Sequence, residues 1–190
     1  MRIGARLACL VAFVFCAHAR VVAAQSPDSA AASKRITKVR EWVAATNRDL
    51  PGNRAVERDL SGFSAEGGKL SAYYAADTLR KLDAMHYGET GRAREEFYVR
   101  EGEPYFVLVT QERYDRPMTG QVVKTIRTRL YFDGDRLVAW TDSTGRRREV
   151  TGSAPEEHAH DELQSFRDLL RCATAATSEA CEAPTDSASR

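Results

Sequence analysis

Between residues 55 and 148, short apolar runs alternate with charged residues and are broken repeatedly by residues that favour turns. Successive side chains of a strand point to opposite faces, so a period of two predicts half-buried strands rather than helices. The breaks indicate an antiparallel meander, and Asp133-Gly134 is the strongest hairpin signal among them. The predicted strands cover residues 55–62, 69–76, 79–87, 93–100, 104–113, 122–133 and 136–142.

Two segments outside the predicted sheet have helical periodicity instead. Apolar residues recur at helical spacing from Ile36 to Val43, with Trp42 alongside, and Pro51-Gly52 ends the pattern. A second set recurs from Ala159 to Ala173 after a helix-start signal at residues 153–156. We expect helices over 34–49 and 154–172, with Trp42 buried against the sheet.

The fold class that follows is α+β. We predict an antiparallel β-meander of six to seven strands, whose apolar face is covered by the N-terminal and the C-terminal helix.

The first 24 residues have the composition of an export signal. Arg2 and Arg6 supply positive charge before the apolar run 7–17, and Val22-Ala23-Ala24 offers small residues for cleavage. The run is too short to span about 30 Å of hydrocarbon, so we expect cleavage rather than a retained anchor. The sequence therefore predicts an exported protein, periplasmic or secreted, with no membrane span after the signal is removed.

The rest of the chain divides into a leader, one domain and a tail. Residues 25–33 are rich in Ser and Ala and predict a flexible leader, and residues 174–190 predict a disordered acidic tail. The segment 34–173 is long enough to bury a single core without a metal. Loss of three arginines with the signal reduces the 28 Lys and Arg to 25, against 27 Asp and Glu. This near-neutral balance argues against a nucleic-acid partner.

Cleavage of the signal also removes Cys9 and Cys16, which leaves Cys172 and Cys181. An even pair in an oxidising compartment predicts a disulfide. The loop that it would close is short, and the chain-entropy account gives about 2–3 kcal/mol of stabilisation. We expect this bond to tie the tail to the last helix. The spacing does not fit a catalytic C-x-x-C motif, and no second pair of zinc ligands lies nearby in sequence.

An aromatic pair or trio followed by a short turn and an aliphatic run recurs between residues 67 and 142. The instances are residues 68–74, 97–107 and 130–137, the last of which reads Leu-Tyr-Phe-Asp-Gly-Asp-Arg-Leu. This phrase resembles the Tyr-Tyr-Phe-Asp-x-Gly-x-Leu hairpins of small exported bacterial proteins of unknown function. It is more distantly similar to the hairpin repeats of MORN-type and YD-type sheets. The resemblance implies a sheet fold and export, and it transfers no catalytic residue.

Histidines are the side chains that come closest to suggesting metal or acid–base chemistry. His158 and Glu162 share one side of the predicted second helix, but His160 points elsewhere. A metal site needs three or four convergent ligands, so we expect a solvated acidic helix start and no metal. His86, in a predicted strand, is expected to be a half-buried packing residue. The sequence has no nucleophile or phosphate-binding motif, and we predict no catalytic residue and no cofactor.

The remaining feature is a set of aromatic and arginine side chains that alternation places on the outer face of the sheet. Tyr and Arg are enriched at contact surfaces because they combine a large contact area with directional hydrogen bonding. A solvated face with Arg paired to Glu across strands would give the same pattern. The candidate binding residues are Tyr73, Tyr98, Arg100, Arg127, Arg129 and Tyr131.

We therefore expect an exported, non-enzymatic binding or interaction domain whose partner is an unknown protein or small ligand. Two alternatives stay open. The first is a small periplasmic hydrolase, which a buried polar cluster around His86 in a deep pocket would favour. The second is a structural envelope protein, which a large exposed apolar patch and the lack of a pocket would favour.

Overall fold

The computed structural model describes residues 27–148, 150, 152–175 and 181–183, so the predicted signal lies outside the described residues. Neither long helix in these ranges has the apolar stretch that a bilayer crossing requires. In chain order the elements are α1 (Pro27–Asp49), a 3-10 turn (Leu50–Gly52), β1 (Arg54–Leu60), β2 (Gly68–Ala75), β3 (Thr78–Gly88), β4 (Gly91–Arg100), β5 (Glu103–Tyr114), β6 (Val122–Asp133), β7 (Arg136–Thr141), β8 (Arg147–Arg148) and α2 (Ser153–Thr174).

The strands form one eight-stranded sheet in which each strand pairs antiparallel with the next in sequence. The predicted α+β meander covered by two helices is therefore confirmed. The seven predicted strands agree with β1–β7 to within two residues at each end. Gly134 adopts a positive φ of 62° in the β6–β7 hairpin, which is the conformation that a glycine at this turn provides. The short strand β8 was not predicted, because two adjacent arginines carry no period of alternation.

Helix α2 covers one face of the sheet and forms the larger core. It contacts strands from β1 to β7, so it runs across the strand direction. The ring of Phe166 lies 5.7 Å from that of Phe97, centroid to centroid, and Leu169 is fully buried. Leu82 and Leu130 of the sheet are also fully buried in this cluster. The apolar period of α2 therefore matches the apolar face that alternation predicts for the strands.

Helix α1 lies on the opposite face, whereas the sequence predicts both helices on one face. It contacts β5, β6 and β7, and Val39 is fully buried against them. Trp42 is only half-buried, with its ring edge-on to Tyr105 at 5.4 Å, so the expectation that it is buried holds only in part. Tyr98 and Tyr131 alternate along their strands with apolar residues that face α2, so the two tyrosines point to the opposite face. Their rings give that face an apolar surface, on which α1 packs.

The described parts of both predicted flexible ends have defined structure. Residues 27–33, part of the predicted leader, are helical, and Ala32 is buried. Residues 181–183, part of the predicted disordered tail, form a parallel bridge to Ser61 after β1. A few buried contacts order these segments, and average composition does not detect such contacts.

We expect Phe166→Ala to destabilise the protein by about 3–5 kcal/mol, because it removes a buried ring and leaves a cavity against Phe97. Arg167→Ala, at the next position on an exposed side of α2, should change stability by less than about 0.5 kcal/mol. Urea unfolding of both variants measures the difference. Equal effects would contradict the packing of α2 on the sheet.

Candidate functional site

The six candidate binding residues do not form one surface. Tyr98 and Tyr131 are 3% and 1% exposed beneath α1, so the prediction that they lie on an exposed face is wrong. Arg100 is exposed, with its guanidinium carbon 4.6 Å from the centre of the Trp42 ring. Tyr73 is half-buried on β2. The structure separates these four residues from the two arginines of β6.

The face of the sheet that α1 partly covers is open beside the helix. It forms there a cavity of about 420 Å³, which we call the sheet groove. Arg127 and Arg129 of β6 form one wall, and Arg94 and Glu96 of β4 form the other. Leu108 of β5 pairs with both Glu96 and Arg129 and therefore lies between the walls. The two walls are two strand spacings apart, or about 10 Å. The full lining is Met85, Arg92, Arg94, Glu96, Leu108, Thr110, Glu112, Arg127 and Arg129.

The β3–β4 side of the groove rests on a buried ion cluster, which we call the lysine network. It consists of Lys81, Asp83, Arg94, Glu96 and Tyr98. Lys81 Nζ lies 2.6 Å from Glu96 Oε1, 3.3 Å from the Tyr98 hydroxyl and 3.7 Å from Asp83 Oδ2. Arg94 donates to both carboxylate oxygens of Asp83, at 2.8 and 2.5 Å. Two cations and two carboxylates thus balance one another at this wall.

Charge pairing, rather than solvent, stabilises the cation of Lys81, which is 3% exposed. Burial alone would lower the pKa of Lys81, but the hydrogen bond to Glu96 and the nearby negative groups raise it above its ordinary value. The Tyr98 hydroxyl also donates to Asn47 Oδ1 of α1 at 2.9 Å. The network therefore connects the groove wall to the helix that covers the neighbouring half of this face.

The β6 wall of the groove has a different electrostatic character. Among the described residues, the side chains of Arg127 and Arg129 have no hydrogen bond and no ion pair. By contrast, Arg92 is paired with Glu112 at 2.6 Å, and Arg94 is paired with Asp83. Arg127 is exposed and Arg129 is half-buried. The two arginines lie two positions apart on the same face of β6, which separates them by about 7 Å along the strand. They present to the groove two positive charges that no described residue neutralises.

The opposite face, beneath α2, contains a second polar group, which we call the α2 cluster: His86, Glu95, His158, Glu162 and Ser165. Ser165 Oγ donates to Glu95 Oε2 at 2.6 Å, and His86 Nε2 lies 3.6 Å from the same oxygen. His158 Nδ1 lies 4.0 Å from Glu162 Oε1. Both ring nitrogens of His86 and Oε2 of Glu162 are buried without a hydrogen-bond partner among the described residues.

The two carboxyl groups of the α2 cluster have pKa values that are shifted in opposite directions. Burial would raise the pKa of Glu95, but the neighbouring His86 and the hydroxyl of Ser165 lower it overall. Burial raises the pKa of Glu162 to about 8, and the charges of Glu95 and Asp161 add to this effect. At neutral pH, Glu95 is therefore ionised and Glu162 holds a proton. Within the described ranges, no three His, Cys, Asp or Glu residues converge as metal ligands.

The sequence placed Glu162 beside His158, but it did not predict that His86 would lie beside Glu95. A signal was present, since Glu95 shares its face of β4 with the buried residues Phe97 and Val99. A charged residue on an apolar face needs a partner, because burial of an unpaired charge is costly. The sheet groove and the cavities at α1 and at the β1–β2 pair do not have His86 or Glu95 in their linings. Most of the α2 cluster is buried, although the side chain of His158 is 33% exposed.

Comparison with known proteins does not place this chain in a family. No protein-family model matches the sequence, and neither a curated protein nor a solved structure matches the chain. Of the phrases that resemble those of small exported bacterial proteins, residues 97–107 and 130–137 form the hairpins β4–β5 and β6–β7, and residues 68–74 lie within β2. Function must therefore be inferred from the geometry of this molecule.

Replacement of Lys81 by Met should destabilise the protein by about 2–4 kcal/mol, because Glu96 and Asp83 would keep their buried charge with Arg94 alone as counter-ion. Lys69→Met, at an exposed position of the neighbouring strand, is the control and should have little effect. The Lys81→Met, Glu96→Leu double variant should recover part of the loss. Purely additive effects in chemical denaturation would argue against the coupling.

The raised pKa of Glu162 predicts a stability that falls as the pH rises. The folded protein keeps this proton up to about pH 8, whereas the unfolded chain releases it near its ordinary pKa of 4.5. The stabilisation is complete below about pH 4.5 and is lost through about pH 8. A glutamine at position 162 cannot ionise, so Glu162→Gln should not lose stability as the pH rises through this window. Its free energy of unfolding, relative to that of the wild type, should therefore increase by about 3–5 kcal/mol across the window.

Denaturant unfolding between pH 4 and 9 tests this dependence, with Glu157→Gln on an exposed side of α2 as the control. A stability difference between Glu162→Gln and the wild type that stays constant with pH would show that Glu162 is ionised at neutral pH.

Proposed function

We propose that this protein is an exported, non-enzymatic binding protein that holds a small acidic ligand in the sheet groove. The ligand class is an organic acid or phosphate ester with an anionic group beside an apolar part. The observation that carries the proposal is that Arg127 and Arg129 have no ion pair within the described ranges, in a groove whose other arginines are ion-paired.

The charge distribution of the groove favours an anion. Arg92 and Arg94 are neutralised by carboxylates on their neighbouring strands. Arg127 and Arg129 therefore leave a net positive charge at one wall. Guanidinium groups bind carboxylate and phosphate through paired hydrogen bonds, and a partly desolvated site strengthens such bonds. A ligand with one doubly charged or two singly charged groups would satisfy both arginines.

The groove also offers apolar contact. Leu108 lies between the walls, and Met85 contributes from β3. A volume of about 420 Å³ lies within the range of small-molecule sites, where apolar surface supplies affinity and a few polar groups fix orientation. Inorganic phosphate alone would use only the arginine wall, so an apolar portion should add affinity.

Export is part of the proposal and is supported by the sequence of residues 1–24. The positive start, the short apolar run and the small residues before Gln25 fit a cleaved signal. N-terminal sequencing of the protein isolated from its own cells should begin at Gln25. Recovery of the uncleaved chain from the cytoplasm would contradict this part.

The two alternative functions have weaker support. A hydrolase is favoured by the α2 cluster, where Glu95 and Glu162 differ in pKa as an acid and a base would. However, neither the sheet groove nor the cavities at α1 and at the β1–β2 pair include these residues in their linings. For a structural envelope protein, the large exposed apolar side chains in the described ranges are Met118 and Val123, which are too few for a large patch.

Binding can be tested by titrating isotope-labelled protein with phenyl phosphate, benzoate and inorganic phosphate, and following amide shifts by NMR. We expect phenyl phosphate to shift the amides of Thr110, Arg127 and Arg129 and to bind more tightly than inorganic phosphate. Arg127→Gln, Arg129→Gln should weaken binding at least about tenfold, because both anion contacts are lost.

The matched control is Arg113→Gln, Lys124→Gln. These exposed residues pair across β5 and β6, and alternation points them away from the groove. The control removes the same charge, so unchanged affinity would exclude a general effect of net charge. Equal weakening by both double variants, or amide shifts confined to other parts of the chain, would reject the groove as the site.

A further inference from the structure

The two cysteines of the described chain lie together in the core, beside the edge strand β1. Cys172 of α2 is 0% exposed and Cys181 is 1% exposed. Sγ of Cys181 lies 3.4 Å from the carbonyl oxygen of Cys172. Both belong to the core cluster beneath α2, together with Leu60 at the end of β1. The disulfide predicted from the sequence thus has its two residues in contact.

Residues 181–183, which we call the strap, pair with the chain that follows β1. The Ser61 amide donates to the carbonyl of Cys181 at 3.3 Å, and the Ala183 amide donates to the carbonyl of Ser61 at 3.0 Å. Arg58 also donates to the carbonyl of Ala175 at 3.1 Å, just after α2. The strap therefore covers one end of a sheet edge that would otherwise expose unpaired backbone groups.

We propose that Cys172 and Cys181 form a disulfide that fastens the strap to the end of β1, and that this bond forms before the strap docks. The strap is held to Ser61 by two backbone hydrogen bonds, which are weak alone because each contributes little net free energy. A covalent link from α2 to Cys181 removes most of the freedom that the strap would regain on opening.

The order of events follows from the chemistry of the thiols. Only a thiolate attacks a disulfide, and burial together with the hydrogen bond to Cys181 raises the pKa of the docked Cys172 to about 12. One cysteine thiolate attacks an oxidant disulfide and releases a thiolate. The second cysteine thiolate then attacks the protein sulfur of the mixed disulfide, forms the protein disulfide and releases the remaining half of the oxidant as a second thiolate. Two protein thiols are oxidised, one oxidant disulfide is reduced to two thiols, and the protons pass to the released thiolates.

The first test compares the intact mature protein in its oxidised and reduced forms. Protein from the exported compartment should have a mass lower by two hydrogens than the reduced chain. Hydrogen exchange at the Ser61 and Ala183 amides should accelerate at least about tenfold on reduction, because the strap opens more often. The melting temperature should fall by about 5–10 °C.

The control is Cys172→Ala, Cys181→Ala, whose exchange at Ser61 and Ala183 should match the reduced wild type and should not respond to reductant. Reduction of the wild type gives the same comparison if this variant does not fold. Free thiols in the exported protein, or equal exchange in the two forms, would overturn the disulfide and the strap.

The second test adds oxidised glutathione either to the folded reduced protein or to the chain during refolding. We expect oxidation of the folded protein to be at least about tenfold slower, because its buried thiols form little thiolate. Equal rates would overturn the proposed order while leaving the bond itself intact. None of these measurements depends on a ligand in the groove.

Discussion

The eight-stranded sheet has two faces to cover, and the described chain provides one long helix for each. Seven strand spacings make the sheet about 34 Å wide. Helix α2 has 22 residues, and at about 1.5 Å per residue it is long enough to cross that width. Helix α1 instead contacts the sheet mainly at β5, β6 and β7. One face is therefore covered across its width, and part of the other is left for polar side chains and a groove.

The lysine network lies where the covered and open parts of the second face meet. Tyr98 marks this boundary, because its ring packs with Phe106 beneath α1 while its hydroxyl contacts both Lys81 and Asn47. A purely apolar boundary would leave the edge of the core open to the groove. Paired charges instead orient Glu96 and Arg94, so this wall of the groove is close to neutral in charge.

Alternation in the sequence was sufficient to predict the strands and the hairpins, and helical periodicity was sufficient to predict the two helices. Neither pattern predicted which face of the sheet each helix would cover. The triplets at 97–99, 105–107 and 130–132 are apolar or aromatic at consecutive positions, which is the pattern of a strand buried on both sides. Because tyrosine has an apolar ring and a polar end, alternation alone did not show that Tyr98 and Tyr131 are buried. Whether Tyr98 and Tyr131 are buried or exposed depends on where α1 packs on the sheet. Likewise, the burial of Lys81 depends on Glu96, which is distant in sequence but close across two paired strands.

The lack of counter-ions at Arg127 and Arg129 follows from their cross-strand neighbours. Those of Arg129 are the uncharged Leu108 and Thr141, whereas Arg127 has Thr110 on one side and is affected on the other by a mismatch in strand length. Strand β6 has 12 residues and β7 has 6, and their pairing begins at Arg129 opposite Thr141. Arg127 therefore lies beyond the end of β7 and has no cross-strand neighbour on that side. On β4, by contrast, the long strands on both sides supply Asp83 and Glu112, which neutralise Arg94 and Arg92. The same meander that supplies counter-ions at one wall supplies none for these two arginines among the described residues, so a ligand or solvent can pair with them.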